Sequence, residues 1–228
     1  MSGAALADTL ARLEGLASEE QRRGHARFAL PVDGASGVSM RDLRALRKEI
    51  GTDHDLALAL WRDGRYEARL LAGMVADPAA MNRDTAEAWI AGFDNWALVD
   101  TLSFDLLDRL PFRWTLVDDH SADEGEFQKR TAFALIWSLT RHDREAPDDR
   151  FRHGLTLIER EATDPRTYVF KAVDMALRAI GKRNRVLNAS ASALAGKLAA
   201  SQDRTAADVG RRALRELGSP RVRDRLTV

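Results

Sequence analysis

Two residues set the chemistry this chain can attempt. In the stretch Phe93-Asp94-Asn95-Trp96-Ala97-Leu98-Val99-Asp100, an indole and a carboxylate stand four residues apart. On a helix such positions lie one turn apart on one face. An aromatic face beside an anionic oxygen suits a flat, cationic ligand. A core aromatic with a solvated acid below it has the same spacing, so the pair takes its meaning from its surroundings. Other chemistries find little support. No stretch fits the phosphate loop G-x-x-x-x-G-K-[ST] or the nucleophile elbow G-x-S-x-G. His25, His54, His120, His142 and His153 show no paired metal-ligand spacing. His142 and Asp143 are neighbours, but at a helix end, where a histidine beside an acid is ordinarily solvated. There is no cysteine, which excludes disulfides, thiolate catalysis and Cys-ligated zinc.

The elements that must position this pair read as helices throughout. Apolar residues recur at three- and four-residue spacing in Leu43/Leu46/Ile50, Leu56/Leu60 with Trp61, Leu70/Met74/Val75 and Val99/Leu102/Leu106/Leu110. The pattern continues in Phe133/Ile136/Trp137, on a long helix opening near Glu124, and in Val169/Val173/Ala176/Ile180. No run of alternating β-branched residues calls for a sheet. Breaks fall at regular intervals, among them residues 31–37, Gly51-Thr52-Asp53, Asp63-Gly64, Asp77-Pro78, Pro111, Asp164-Pro165 and Gly181. Asp94 is placed to cap the helix carrying Trp96, and Asp164 to cap one with proline at its first position. The expectation is an all-α, HEAT-like or armadillo-type helical solenoid spanning 1–228 as one domain. A globular helical bundle is the competing architecture.

Composition narrows the partners. The 228 residues are 45% hydrophobic and 31% charged, enough for a sizeable core, and no stretch approaches 18 consecutive apolar residues. The first residues lack the basic and apolar regions of a signal peptide, so a cytoplasmic protein without membrane contact is expected. The net charge of zero hides an asymmetry. Residues 1–125 hold 14 Lys/Arg and 22 Asp/Glu, net −8, whereas residues 126–228 hold 21 and 13, net +8. The stretch 166–228 alone has 14 basic against 5 acidic residues. One side suited to a polyanion follows, unless the cations only solvate helix faces.

Several segments, in order, resemble the AlkD-like DNA alkylation repair glycosylases, a family built on HEAT-like repeats. They are Ala26-Arg27-Phe28, the turn into helix from Gly37 to Arg44, Leu60-Trp61, Tyr66-Glu67-Ala68-Arg69 and the Asn95–Asp100 stretch. Phe127-Gln128-Lys129-Arg130-Thr131-Ala132 and the run from Phe170 to Arg178 complete the set, which covers about residues 20–217. The resemblance implies a concave basic cleft that binds double-stranded DNA carrying alkylated purines. It implies a monomeric glycosylase, acting without metal or organic cofactor, that hydrolyses the glycosidic bond of cationic N3- or N7-alkylated purines.

The resemblance also implies roles. The catalytic set falls on Asp100, Trp96 and Arg130, the last as a DNA-contacting arginine with Lys129 beside it. A cleft tyrosine of the family is matched by Phe28, which lacks the hydroxyl. A second tryptophan is matched by Met175, which offers no π face. Duplex binding is expected of Lys171, Arg178, Lys182, Arg183 and Arg185. Lys171 and Arg178 are seven residues apart and share a helix face, while Lys182-Arg183-Asn184-Arg185 is expected to open the next helix, where backbone N–H groups add to phosphate attraction. Arg211, Arg212, Arg215, Arg221, Arg223 and Arg225 extend this basic end without an assigned role. Because of Met175, a non-catalytic DNA-binding or protein-interaction scaffold on the same fold is the alternative.

Overall fold

The computed structural model describes residues 2–32 and 34–226; Asp33, inside the expected break at 31–37, lies outside them. The described residues form fourteen α-helices and two short 3-10 turns, with no strand. None of these helices is long and apolar enough to cross a membrane. Contacts gather the chain into two units, Met1–Pro111 and Phe112–Val228.

The first unit contains α1 (Ser2–Gly15), α2 (Glu19–His25), a 3-10 turn (Ala26–Phe28), α3 (Met40–Ile50) and α4 (His54–Asp63). It continues with α5 (Tyr66–Val75), α6 (Arg83–Ala91), α7 (Trp96–Asp105) and a second 3-10 turn (Leu107–Arg109). Helix α5 is its axis: every residue of α5 except Arg69 is buried, and α3, α4 and α7 pack around it. Helix α7 comes close because Gly73 of α5 has no side chain. A Cβ there would stand 2.5 Å from Leu102 Cγ of α7. Of the expected stripes, Leu43/Leu46, Leu56/Leu60, Leu70/Met74/Val75 and Val99/Leu102/Leu106/Leu110 are in the core, whereas Ile50 and Trp61 are only half-buried. The last stripe is not one helix, however. Leu106 leaves helical geometry at φ −139°, and Leu110 follows the second 3-10 turn.

A buried carboxylate fixes the entry to α3. Glu67 of α5 is 1% exposed and accepts hydrogen bonds from the backbone N–H groups of Ser36 (3.0 Å), Gly37 (2.7 Å) and Val38 (3.3 Å). Gly37 has φ +78°, and a Cβ there would lie 2.2 Å from the Ser18 carbonyl oxygen. Glycine is therefore required on two counts, conformation and space. This ties two of the sequence segments singled out above, Gly37–Arg44 and Tyr66–Arg69, into one structural device.

The second unit contains α8 (Arg113–His120), α9 (Glu126–His142), α10 (Asp148–Glu161), α11 (Thr167–Ile180), α12 (Arg185–Ala199), α13 (Arg204–Leu217) and the short α14 (Pro220–Arg223). Helices α9, α11 and α13 form one row, with α11 packed on both neighbours. Helix α10 packs on α12, which lies along α13, so a second layer backs the first. Phe133, Ile136, Phe151, Val169, Val173, Leu177 and Ile180 fill the core between them, while Trp137 of the expected stripe is half-buried.

Two expected caps are corrected. The side chain capping α7 is Asn95, whose Oδ1 accepts from the N–H groups of Ala97 (3.1 Å) and Leu98 (3.0 Å). Asp94 instead pairs with Arg69 at 2.7 Å. Helix α11 begins at Thr167 rather than Pro165, because Asp164 folds back to accept from the Arg166 N–H at 3.0 Å.

Candidate functional site

In the first unit Trp96 and Phe28 meet, and Asp100 stands on the same helix as Trp96. Trp96 is the first residue of α7, directly after the Asn95 cap. Its indole Nε1–H donates to the Phe28 carbonyl at 2.8 Å, across 68 positions of sequence. The acceptor ends the 3-10 turn Ala26–Phe28, after which Ala29 takes a left-handed conformation at φ +50°. The indole is thereby pinned at its polar edge while the side chain stays half-buried, so Trp96 is not a core residue. Asp100, one turn further along α7, is also half-buried, and the Phe28 ring is 65% exposed. The arrangement offers a fixed aromatic surface and a carboxylate on one helix. Such a pair can attract a cation and stabilise positive charge that develops beside it.

Behind Trp96, Arg69 locks the approach to α7. Its guanidinium donates to Asp94 and to the Gly92 carbonyl, and lies over the Trp61 ring at 4.7 Å. Trp61 is stacked on Trp89 at 4.4 Å. At the far end of α7, burial pushes the Asp105 carboxyl up, against the opposing pull of Arg44, Arg109 and Arg47. The Asp94–Asn95–Trp96 corner is thus held by Arg69, seated on a Trp61–Trp89 stack that sequence spacing did not reveal.

The second unit distributes its expected residues differently. Arg130 is 2% exposed and donates to the Tyr168 carbonyl at 2.8 Å. Lys129, 8% exposed, pairs with Glu161 and with Asp164. Burial raises the Asp164 carboxyl, but hydrogen bonds from Arg166 and Lys129 outweigh it and hold the group at about 2. Arg178 pairs with Asp174 at 2.8 Å and with Glu216 of α13, and Lys182 reaches the other oxygen of Glu216 at 2.7 Å. Burial also raises the Asp174 carboxyl, against the pull of Arg178. Arg183 donates to the carbonyls of Thr140, Arg144 and Ala146 and lies over the Phe151 ring at 4.3 Å.

Among the residues expected to meet DNA in this unit, Lys171, Lys182 and Arg185 remain exposed and Met175 is half-buried. Lys171 lies over the Tyr168 ring at 5.4 Å. The expectation that Lys182-Arg183-Asn184-Arg185 opens a helix is also corrected. Lys182 and Arg183 occupy the turn, Asn184 caps by accepting from the Leu187 N–H at 2.8 Å, and α12 starts at Arg185. A basic groove of about 740 Å³ between α11 and α13, lined by Phe170, Lys171, Arg204, Asp208, Arg211 and Arg212, is not announced by sequence spacing. Its one sequence signal is the run of arginines at 211 and 212, each within four residues of Asp208.

The two-layer helical packing of the second unit is that of a helical-repeat protein. A solved structure described as "a new family of proteins related to the HEAT-like repeat DNA glycosylases with affinity for branched DNA structures" matches with a TM-score of 0.77 and 19% identity. The match covers 93% of this chain and 96% of that one, so the fold is of the HEAT-like repeat kind. A designed armadillo repeat protein aligns at TM-score 0.36 and 14% identity over 77% of this chain and 91% of its own. A model of the family described as DNA alkylation repair enzyme matches residues 9–207, and the chain belongs to that family. No curated protein matches. The resemblance read from residues 20–217 is therefore borne out at the level of family and fold.

Proposed function

We propose that the protein is a monofunctional DNA glycosylase releasing cationic N3- or N7-alkylated purines from double-stranded DNA. The observation that carries this reading is the pair on α7, in a chain of the DNA alkylation repair enzyme family. Trp96 is pinned at its N–H and still partly open, with a partly open Asp100 one turn further on. The chemistry asks for little more. An alkylated purine is already positively charged, so it leaves without a general acid. Bond cleavage builds oxocarbenium character on the sugar, as in glycoside hydrolysis generally. Asp100 stabilises that charge and orients a water, an electrostatic contribution on the order of 3 kcal/mol. Trp96 attracts the cationic base or sugar, contributing roughly 0.5–2 kcal/mol.

Lys171 and Arg185 serve phosphate attraction, and Arg130 holds the α9–α11 junction through the Tyr168 carbonyl. The related protein's described affinity for branched DNA supports DNA as the partner. No metal or organic cofactor takes part, and the protein acts as a cytoplasmic monomer. The test is release of N7-methylguanine and N3-methyladenine from methylated duplex. Release supports the reading, and its absence at full DNA occupancy overturns it. A second reading, DNA binding without excision, draws on Met175, a flexible thioether on α11 where the resemblance places a tryptophan. Binding without release decides for it.

A further inference from the structure

The groove between α11 and α13 has its own chemistry. Four cations, Lys171, Arg204, Arg211 and Arg212, line it against one carboxylate, Asp208. Asp208 pairs with Arg212 at 2.9 Å and with Arg211 at 3.7 Å, and all three side chains are more than a third exposed. Ion pairs this open are worth little and exchange readily for another anion. These cations therefore differ from Lys129 and Arg178, whose less exposed side chains hold helices together.

Aromatic rings lie under the cations. The Arg212 guanidinium stands 5.2 Å from the centre of the Phe170 ring, and the Lys171 ammonium 5.4 Å from that of Tyr168. Both rings are half-buried on the first turn of α11, and Tyr168 is flanked in turn by Phe127 at 5.4 Å. Of the two rings Phe170 lines the groove, and a partly open ring among exposed cations suits single-stranded nucleic acid, whose phosphates follow the charge while its bases stack on rings or guanidinium planes. An intact duplex satisfies only the charges, because its base faces are covered by their neighbours. The volume, about 740 Å³, is of the size that holds a small ligand such as one or two nucleotides.

We propose that this groove binds unpaired nucleotides of DNA, with phosphates on Lys171, Arg204 and Arg211 and a base stacked at Phe170 and Arg212. The proposal rests on the reading of DNA as partner and adds a preference for strands that leave the duplex. The test compares a blunt duplex with the same duplex carrying a short unpaired tail, by fluorescence anisotropy at fixed salt. The tailed duplex binds about tenfold more tightly. Phe170→Ala abolishes this advantage and leaves blunt-duplex affinity within about twofold, whereas Phe170→Trp retains it. The exposed pair Arg204→Glu/Arg211→Glu, which leaves Phe170 and the core intact, also removes the advantage. Equal affinity for tailed and blunt duplex, or an advantage that survives Phe170→Ala, overturns the groove and leaves the duplex reading standing. Failure to bind either DNA overturns both.

Discussion

The unit Met1–Pro111 carries 13 basic and 18 acidic residues, and Phe112–Val228 carries 22 and 17. By charge alone the second is the place to look for function and the first is its support. The side chains reverse part of that expectation. In the first unit Trp96, Asp100 and Phe28 stay partly or largely open, while the buried Glu67 and the Arg69–Trp61–Trp89 stack hold the backbone around them. In the second, Lys129, Arg178, Lys182 and Arg183 are turned into ion pairs and carbonyl contacts between helices. A basic stretch of sequence is therefore not yet a basic surface. Exposed cations remain at Lys171, Arg185 and Arg204, Arg185 with a long 3.4 Å bond to the Leu226 carbonyl.

This contrast can be broken at either end. The largest effect is expected from Lys129→Met, which leaves Glu161 and Asp164 without their shared buried cation. It costs about 3 kcal/mol, the low end for a broken buried pair, because Arg160 and Arg166 still reach those carboxylates. Chemical denaturation measures it; an unchanged midpoint would show that Lys129 is not a structural cation. In the first unit Glu67→Gln replaces charge-assisted bonds to three N–H groups and costs roughly 2 kcal/mol by the same measurement.

Acid sharpens the comparison. The Asp164 carboxyl is held at about 2 against an ordinary 3.8, so its folded value is depressed. Its stabilisation is present above the ordinary value and is lost as pH falls toward 2. That amounts to at most about 2 kcal/mol, given partial screening. The stability gap between the wild type and Asp164→Asn accordingly narrows on acidification through that window, and a gap independent of pH would contradict the assignment. The smallest effect belongs to an exposed cation. Lys171→Ala leaves stability unchanged, weakens duplex binding about threefold and lowers the salt slope by roughly one ion. A large loss of stability would place Lys171 with the internal cations instead.

The helices and their buried stripes were legible because apolar spacing at three and four residues is a local property. Val169, Val173, Ala176 and Ile180 are fully buried, as their spacing required. Caps were legible to within one or two residues. Asp94 and Asn95 can both cap α7, and only the distant Arg69 decides between them by taking Asp94. The Trp96–Asp100 pair was legible as a pair, but its anchoring at the Phe28 carbonyl was not, since that bond spans 68 positions. The internal use of the cations was hidden for the same reason. Lys182 meets Glu216 across 34 positions and Lys129 meets Glu161 across 32, and no local spacing announces either.

The central claim is that α7 carries the reacting carboxylate. Single-turnover release of N7-methylguanine by the wild type and by Asp100→Asn, with duplex affinity measured on the same samples, tests it directly. Release by Asp100→Asn falls at least about a hundredfold, with affinity within about threefold. Release by Asp100→Asn at the wild-type rate would contradict it and move the chemistry away from α7.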